Sequence, residues 1–338
     1  MKRFLEKKGI HISVHAYLIT ALSYMALGLF SSLIIGLIIQ TIGNQLNIAP
    51  FIEMGSFAME SKIWGGAIGA AIAYGLKAPP LVIFAALFSG AYGAELGGPA
   101  GSYAAALIAA EFGKLISKET RIDIILTPFV TIVIGFTVGS FIGPPIDRFM
   151  TGFGQVINWA TLQQPIIMGM VVAVLMGIAL TAPISSLAIA LMLSIDGLAA
   201  GAATVGCAAQ MVGFAVISYR DNGIGGAIAQ GIGTSMLQVA NIVKNPIILV
   251  PPTIAGAVLA PVATVWLHFE NNAAGAGMGT SGLVGQIMTF ESLGFSWQVA
   301  GGILMLHFIG PAVISLLVAG WFKKKGWIKP GDMVIDYE

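Results

Sequence analysis

The sequence predicts an all-α polytopic membrane protein with about ten transmembrane helices. Three observations predict it. Hydrophobic residues make up 57% of the 338 and charged residues 9%, where soluble domains carry about 25% charged. The mean hydropathy is +0.90, and uncharged runs long enough to cross a bilayer recur along the chain. Basic residues gather in three clusters rather than being spread. This composition excludes a soluble globular domain and a disordered chain. A net charge of +1 excludes a nucleic-acid module, which needs a basic face. A crossing takes about 20 apolar residues, so ten use about 200 and leave the rest for loops and partial spans.

The N-terminus carries Lys2, Arg3, Lys7 and Lys8 ahead of an apolar stretch from about Ala16 to Ile39. That stretch exceeds the roughly 7–15 residues of a signal core and reads as a retained first helix. A polar loop follows, Gly43–Lys62, then apolar segments at Ile63–Leu76, Leu81–Ala94, Gly101–Ile116 and Ile124–Ile142. Lys114, Lys118 and Arg121 mark the connection before the last of these, and a polar, Trp-containing linker spans Pro144–Gln164. From Pro165 to Tyr219 the only charge is Asp196. Further uncharged stretches are Asn222–Val243, Asn245–Phe269, Asn271–Phe290 and Ser292–Phe322, before Lys323, Lys324, Lys325 and Lys329. Basic clusters stay cytoplasmic. Placing all three inside makes both termini cytoplasmic and the 43–62 and 144–164 segments external. An odd number of crossings must follow, and five completes ten. Gly93, Gly97 and Gly101, and Gly135, Gly139 and Gly143, repeat every fourth residue, a spacing that lets helix backbones approach closely in lipid.

No P-loop occurs, the Gly-rich run at 275–282 follows no strand, and the four histidines show no metal-ligand spacing, so no cofactor or metal is expected. Cys207, the only cysteine, reads as a small core residue. The informative signal is broken, polar backbone among apolar spans, which membranes tolerate only where protein or a cavity covers it. Three segments qualify: 181–186 with Ser185 and Ser186, 238–246 with Gln238, Asn241, Lys244 and Asn245, and 268–282 with Asn271, Asn272 and Thr280. Gln238, Asn241 and Asn245 share one helical face, and carboxamides both donate to and accept from hydroxyl-rich ligands. The alternative for that segment is a polar surface turn with Lys244 snorkelling. The 268–282 segment reads as a re-entrant loop or as an ordinary connection. Glu270, Asp196 and Glu95 are candidate ion or proton sites, each beside a helix break.

In order, Ile142-Gly143-Pro144-Pro145-Ile146, then Ala182-Pro183-Ile184-Ser185-Ser186, then Gly233-Thr234-Ser235-Met236-Leu237-Gln238 through Asn245-Pro246 resemble the motif order of fructose-type EIIC proteins. These are membrane subunits of the sugar phosphotransferase system, of the glucose superfamily. The chain resembles more closely the EIIC-like family that includes the toxin regulator PfoR, over nearly its whole length. The resemblance implies re-entrant hairpins, a homodimer and a bacterial cytoplasmic membrane. It implies a scaffold and dimerisation half at 1–146, an external linker at 147–164, a transport half at 165–322 and a cytoplasmic tail at 323–338. It departs where sugar-transporting members carry a glutamate, since Met236 or Gln238 stands there. The 273–279 stretch also lacks the histidine of fructose-type members.

The reading is a transporter of a small polar solute, most favourably a sugar, working by alternating access with separate EIIA and EIIB phosphocarriers as candidate partners. Without the glutamate and histidine, the residues leave phosphoryl transfer unsupported and catalytic residues unassigned. Two alternatives stay open: a PfoR-like membrane sensor without productive transport, and an ion-coupled carrier using Glu270 or Asp196.

Overall fold

The computed structural model describes residues 8–10, 13–182 and 185–335. Lys2, Arg3, Lys7 and His11, with Pro183 and Ile184 of the first broken segment, lie outside them. The described residues are helical throughout and contain no strand, only an isolated bridge between Gly197 and Asn271. The chain divides into two compact units, Met1–Gly152 and Phe153–Glu338.

The first unit opens with α1, His15–Leu46, which ends at Asn47 in a left-handed turn, φ 54. Two shorter helices, α2 (Ala49–Ala58) and α3 (Ser61–Gly75), then run back along it. Glycines set this contact. A Cβ on Gly43 would stand 2.7 Å from Ile52 N, one on Gly36 2.8 Å from Ala58 Cβ, and one on Gly28 2.8 Å from Ala67 O. The 43–62 segment, expected as a polar loop, is therefore a tight turn followed by a helix. Its glutamates, Glu53 and Glu60, sit on the exposed side, where a helix carries charge without desolvation.

Next is α4, Pro80–Ile116, interrupted at Gly97 (φ −144, ψ 20) and Gly98 (φ 55, ψ −152) just before Pro99. The two arms fold back on each other. A Cβ on Gly93 would lie 2.6 Å from Gly101 O, and one on Gly113 would lie 2.8 Å from Val82 Cγ1. In a straight helix Val82 and Gly113 would be about 46 Å apart. The sequence expected separate segments at 81–94 and 101–116, and the break at Gly98 makes them antiparallel. The fifth helix, α5 (Asp123–Gln163), packs along the first arm, with Ser89 Oγ donating to Thr131 O at 3.2 Å. It stays helical through the stretch expected as a linker.

The second unit is built on α8. Its helices are α6 (Pro165–Thr181), α7 (Ser186–Leu193), α8 (Gly197–Ile217) and α9 (Tyr219–Ile228, continued as a π-helix to Gly233). They continue with α10 (Val239–Lys244), α11 (Pro246–Trp266), α12 (Ala273–Ala276), α13 (Val284–Leu293) and α14 (Trp297–Lys324). Nearly every residue of α8 is buried, because Ala and Gly dominate it and let neighbours approach on all sides. Gly206 meets Ala173 of α6 and Gly256 of α11. Gly213 meets Pro252 of α11 and Ser315 of α14, and Lys323 Nζ donates to Ile217 O at 3.1 Å. Following these contacts along α8, α11 runs antiparallel to it and α14 parallel.

Among the described residues six helices are long and apolar enough to cross a membrane: α1, α4, α5, α8, α11 and α14, with α6 a shorter apolar one.

Candidate functional site

Three broken segments converge on the middle of α8. From one end, α6 descends beside α8, and Thr181 reaches within 3.4 Å of Gln210 Oε1. From Ser186, α7 climbs back towards Asp196 at the start of α8. Also at that end, Asn271 bridges Gly197, and the chain descends through α12 to Gly279. A Cβ on Gly279 would stand 2.6 Å from Cys207 C and 2.7 Å from Ala208 N. Cys207 is the eleventh of the 21 residues of α8, so this non-helical turn lies at mid-height. From it α13 returns, Gly285 passing Thr204 and Thr289 reaching back to Asn271. From the opposite end, the 229–238 segment rises to meet both tips.

Side-chain hydrogen bonds join the three. Thr181 Oγ1 and Ser235 Oγ are 2.9 Å apart. Ser186 Oγ donates to Gly277 O at 2.6 Å, Thr280 Oγ1 to Gly231 O at 2.6 Å, and Ser281 Oγ to Gly233 O at 2.9 Å. Gln210 Nε2 extends the cluster to Thr253 Oγ1 at 2.8 Å. The tip residues Gly279, Gly282 and Leu283 all have left-handed backbone, φ 53, 53 and 59. For a leucine that conformation costs about 1–2 kcal/mol, and such strain gathers at functional turns. No charged side chain takes part in these bonds. Hydroxyls, carboxamides and exposed turn backbone suit a neutral, hydroxyl-bearing ligand.

The family model described as Phosphotransferase system, EIIC matches residues 19–335. The chain belongs to the phosphotransferase-system EIIC family. Searches among curated proteins and among solved structures each find no match. This EIIC is thus an integral membrane protein of a transport system.

The residues singled out from its sequence fall into distinct places. Ser185, Ser186 and Thr280 lie at the convergence, Ser185 capping α7 through Ala188 N at 3.0 Å. Asn271 is buried, its Nδ2 donating to Thr204 Oγ1, Gly285 O and Thr289 Oγ1 at 2.8, 3.0 and 3.1 Å. Asn272 caps α12 and donates to Glu291 at 3.1 Å. These two asparagines fasten the descending and returning arms together. Gln238, Asn241 and Asn245 do share a face, but their amide groups bond to the segment after α14, and Lys244 is exposed. Glu270, Asp196 and Glu95 are all exposed, and Glu95 pairs with Lys62 at 3.2 Å.

Sequence reasoning missed Gln210, Ser235 and Thr253. Gln210 is the only carboxamide between Pro165 and Tyr219, and that isolation was the available signal. It also missed the buried pair Gln286–His307, 3.0 Å apart, whose histidine stands on the π-helical turn Leu304–Ile309.

Proposed function

We propose that this EIIC carries a sugar across the membrane through its second unit by alternating access. The observation that carries the reading is the seat of Gly279 on Cys207. Non-helical backbone at the mid-height of a span needs protein or water around it, and transporters hold their substrates at such breaks. The ten passes expected from the sequence become eight complete crossings and two half-depth hairpins, α6–α7 and α12–α13. Five complete crossings belong to the first unit (α1, α2–α3, the two α4 arms and α5) and three to the second (α8, α11 and α14). An even number keeps both termini on one side, and the Lys323–Lys325 cluster puts that side in the cytoplasm.

Thr181, Ser186, Ser235, Thr280 and Gln210 are the nearest hydrogen-bonding groups to the tips and form the inner part of the solute site. Asn271 and Asn272 position one tip. The PfoR-like and fructose-type resemblances, a homodimer and separate EIIA and EIIB phosphocarriers belong to the same reading.

The test is uptake of radiolabelled sugars by proteoliposomes holding this protein, with and without the phosphocarriers and phosphoenolpyruvate. Wild type is compared with Thr181→Val and Ser235→Ala. Loss of uptake in both variants, with unchanged thermal stability, supports the site. Wild-type uptake in both removes it. Phosphorylated sugar inside the vesicles would establish coupled transfer.

A further inference from the structure

Beyond α14 the chain turns at Gly326, φ 74, and lies back across the 221–245 segment as a strap. Three of its side chains are sunk into the second unit: Ile328, Met333 and Ile335 are 1%, 0% and 6% exposed. Ile328 and Met333 share an apolar cluster with Phe214, Ile217 and Phe322. Packing of this kind would suffice to hold a terminal segment.

The polar contacts go further. Four carboxamides bond to the strap's main chain. Asn222 donates to Met333 O and accepts from Ile335 N, both at 2.8 Å. Gln238 donates to Met333 O at 3.0 Å, and Asn241 to Val334 O at 2.8 Å. Asn245 donates to Trp327 O at 3.1 Å and to Asp332 Oδ2 at 2.9 Å. Three of these carboxamides are the ones whose shared face suits a hydroxyl-bearing solute. A peptide carbonyl and a sugar hydroxyl oxygen are the same kind of acceptor for them. Two glycines interrupt the strap. Gly326 and Gly331 have positive φ with open space around them. Across Gly331, Lys329 N donates to Asp332 Oδ2 at 2.8 Å, closing a turn of the strap upon itself.

We infer that residues 327–335 are a displaceable cover over Gln238, Asn241 and Asn245. Closed, the strap occupies these carboxamides and shuts that end of the second unit. Open, it frees them to hand a solute between the cytoplasmic face and the tips at Thr181 and Ser235. This gating role rests on the transport reading above, but the cover itself does not.

Two measurements separate the cover from the gate. The first needs no solute. Asn241→Cys is labelled with a soluble maleimide in the whole chain, in Met333→Ala and in a chain ending at Pro330; Cys207 is buried and stays silent. Labelling scales with the open fraction, so weakening the strap should speed it about tenfold or more. Thr264→Cys, buried far from the strap, should keep its rate. Equal rates at Asn241→Cys in all three backgrounds overturn the cover, and so does an equal rise at Thr264→Cys, which would signal general loosening. Should the shortened chain fail to fold, Met333→Ala decides.

The second measurement ties the strap shut. Gly331 N donates to Asp221 Oδ1 at 3.2 Å, so Asp221→Cys with Gly331→Cys brings two thiols together for a bismaleimide or a disulfide. In proteoliposomes the oxidised pair should lose uptake and dithiothreitol should restore it. Full uptake by the oxidised pair overturns the gate. Absence of uptake in wild type as well would count against the transport reading, and the labelling result would still decide the cover.

Discussion

Gly279 sits against the backbone of Cys207, with no room between them for a methyl group. Its φ of +53 adds a second reason for glycine, since L side chains avoid that region. Gly279→Ala must therefore push the turn off α8 while adopting left-handed backbone. It should cost about 2–3 kcal/mol, read as a lowered unfolding midpoint in detergent, and should abolish solute binding. Gly225→Ala is the control. Gly225 has open space around it and no positive φ, so the change should be neutral or stabilising by up to about 1 kcal/mol.

Much of this was legible in the sequence, for physical reasons that also mark the limit. The apolar runs at 81–94 and 101–116 announced two separate helical segments, and the break at Gly97 and Gly98 is what divides them. The segments 181–186 and 268–282 announced broken backbone through polar residues between uncharged runs. The partner of a carboxamide was not legible. The face shared by Gln238, Asn241 and Asn245 follows from helical spacing, but the same face suits a sugar or a peptide strap. Only the three-dimensional return of residues 327–335 shows which partner fills it. The 43–62 helix was missed for another reason. Glu53 on the outer side of α2 and Glu60 at the N-cap of α3 lower the hydropathy without opposing helix formation, so the stretch has the composition of a loop.

Lys114 and Lys62 each pair with a glutamate at similar distance, 3.0 Å to Glu111 and 3.2 Å to Glu95, but burial separates their worth. The Lys114 side chain is 2% exposed and that of Lys62 67%. Lys114 also donates to Gly9 O and Leu76 O, at 2.9 and 3.1 Å. Lys114→Met takes the donor away from both carbonyls, and a buried polar group left without its partner costs about 1–3 kcal/mol. An exposed pair is worth about 0–1 kcal/mol. Lys114→Met should accordingly lower the unfolding midpoint far more than Lys62→Met. Equal effects at both lysines would contradict the buried position of Lys114.

Asn271 holds one hairpin closed through a single amide nitrogen whose two hydrogens are shared among three oxygens within 3.1 Å. Asn271→Ala leaves Thr204, Gly285 and Thr289 without that donor and opens a small void. The expected cost is about 2–4 kcal/mol. Asn271→Asp, nearly the same shape, sets a buried carboxylate oxygen against Gly285 O, which cannot donate, and should be worse. Thermal unfolding of the two variants ranks them, and an aspartate variant as stable as wild type would refute the assigned contacts.

The two arms of α4 bring Val82 beside Gly113, although 31 positions of sequence separate them. A disulfide requires Cα atoms within about 7 Å, and an unbroken helix would hold this pair about 46 Å apart. Val82→Cys with Gly113→Cys therefore discriminates between a hairpin and a straight rod, with Thr131→Ala added because a side chain at 113 also meets Thr131. Mild oxidation should consume both new thiols within one chain and leave Cys207 unreacted. Persistence of both thiols would mean that the break at Gly98 does not reverse the chain. The first unit would then lose two of its five proposed crossings and gain a single long one, making the total odd. The N- and C-termini would come to lie on opposite sides of the membrane, against the basic clusters that flank both ends.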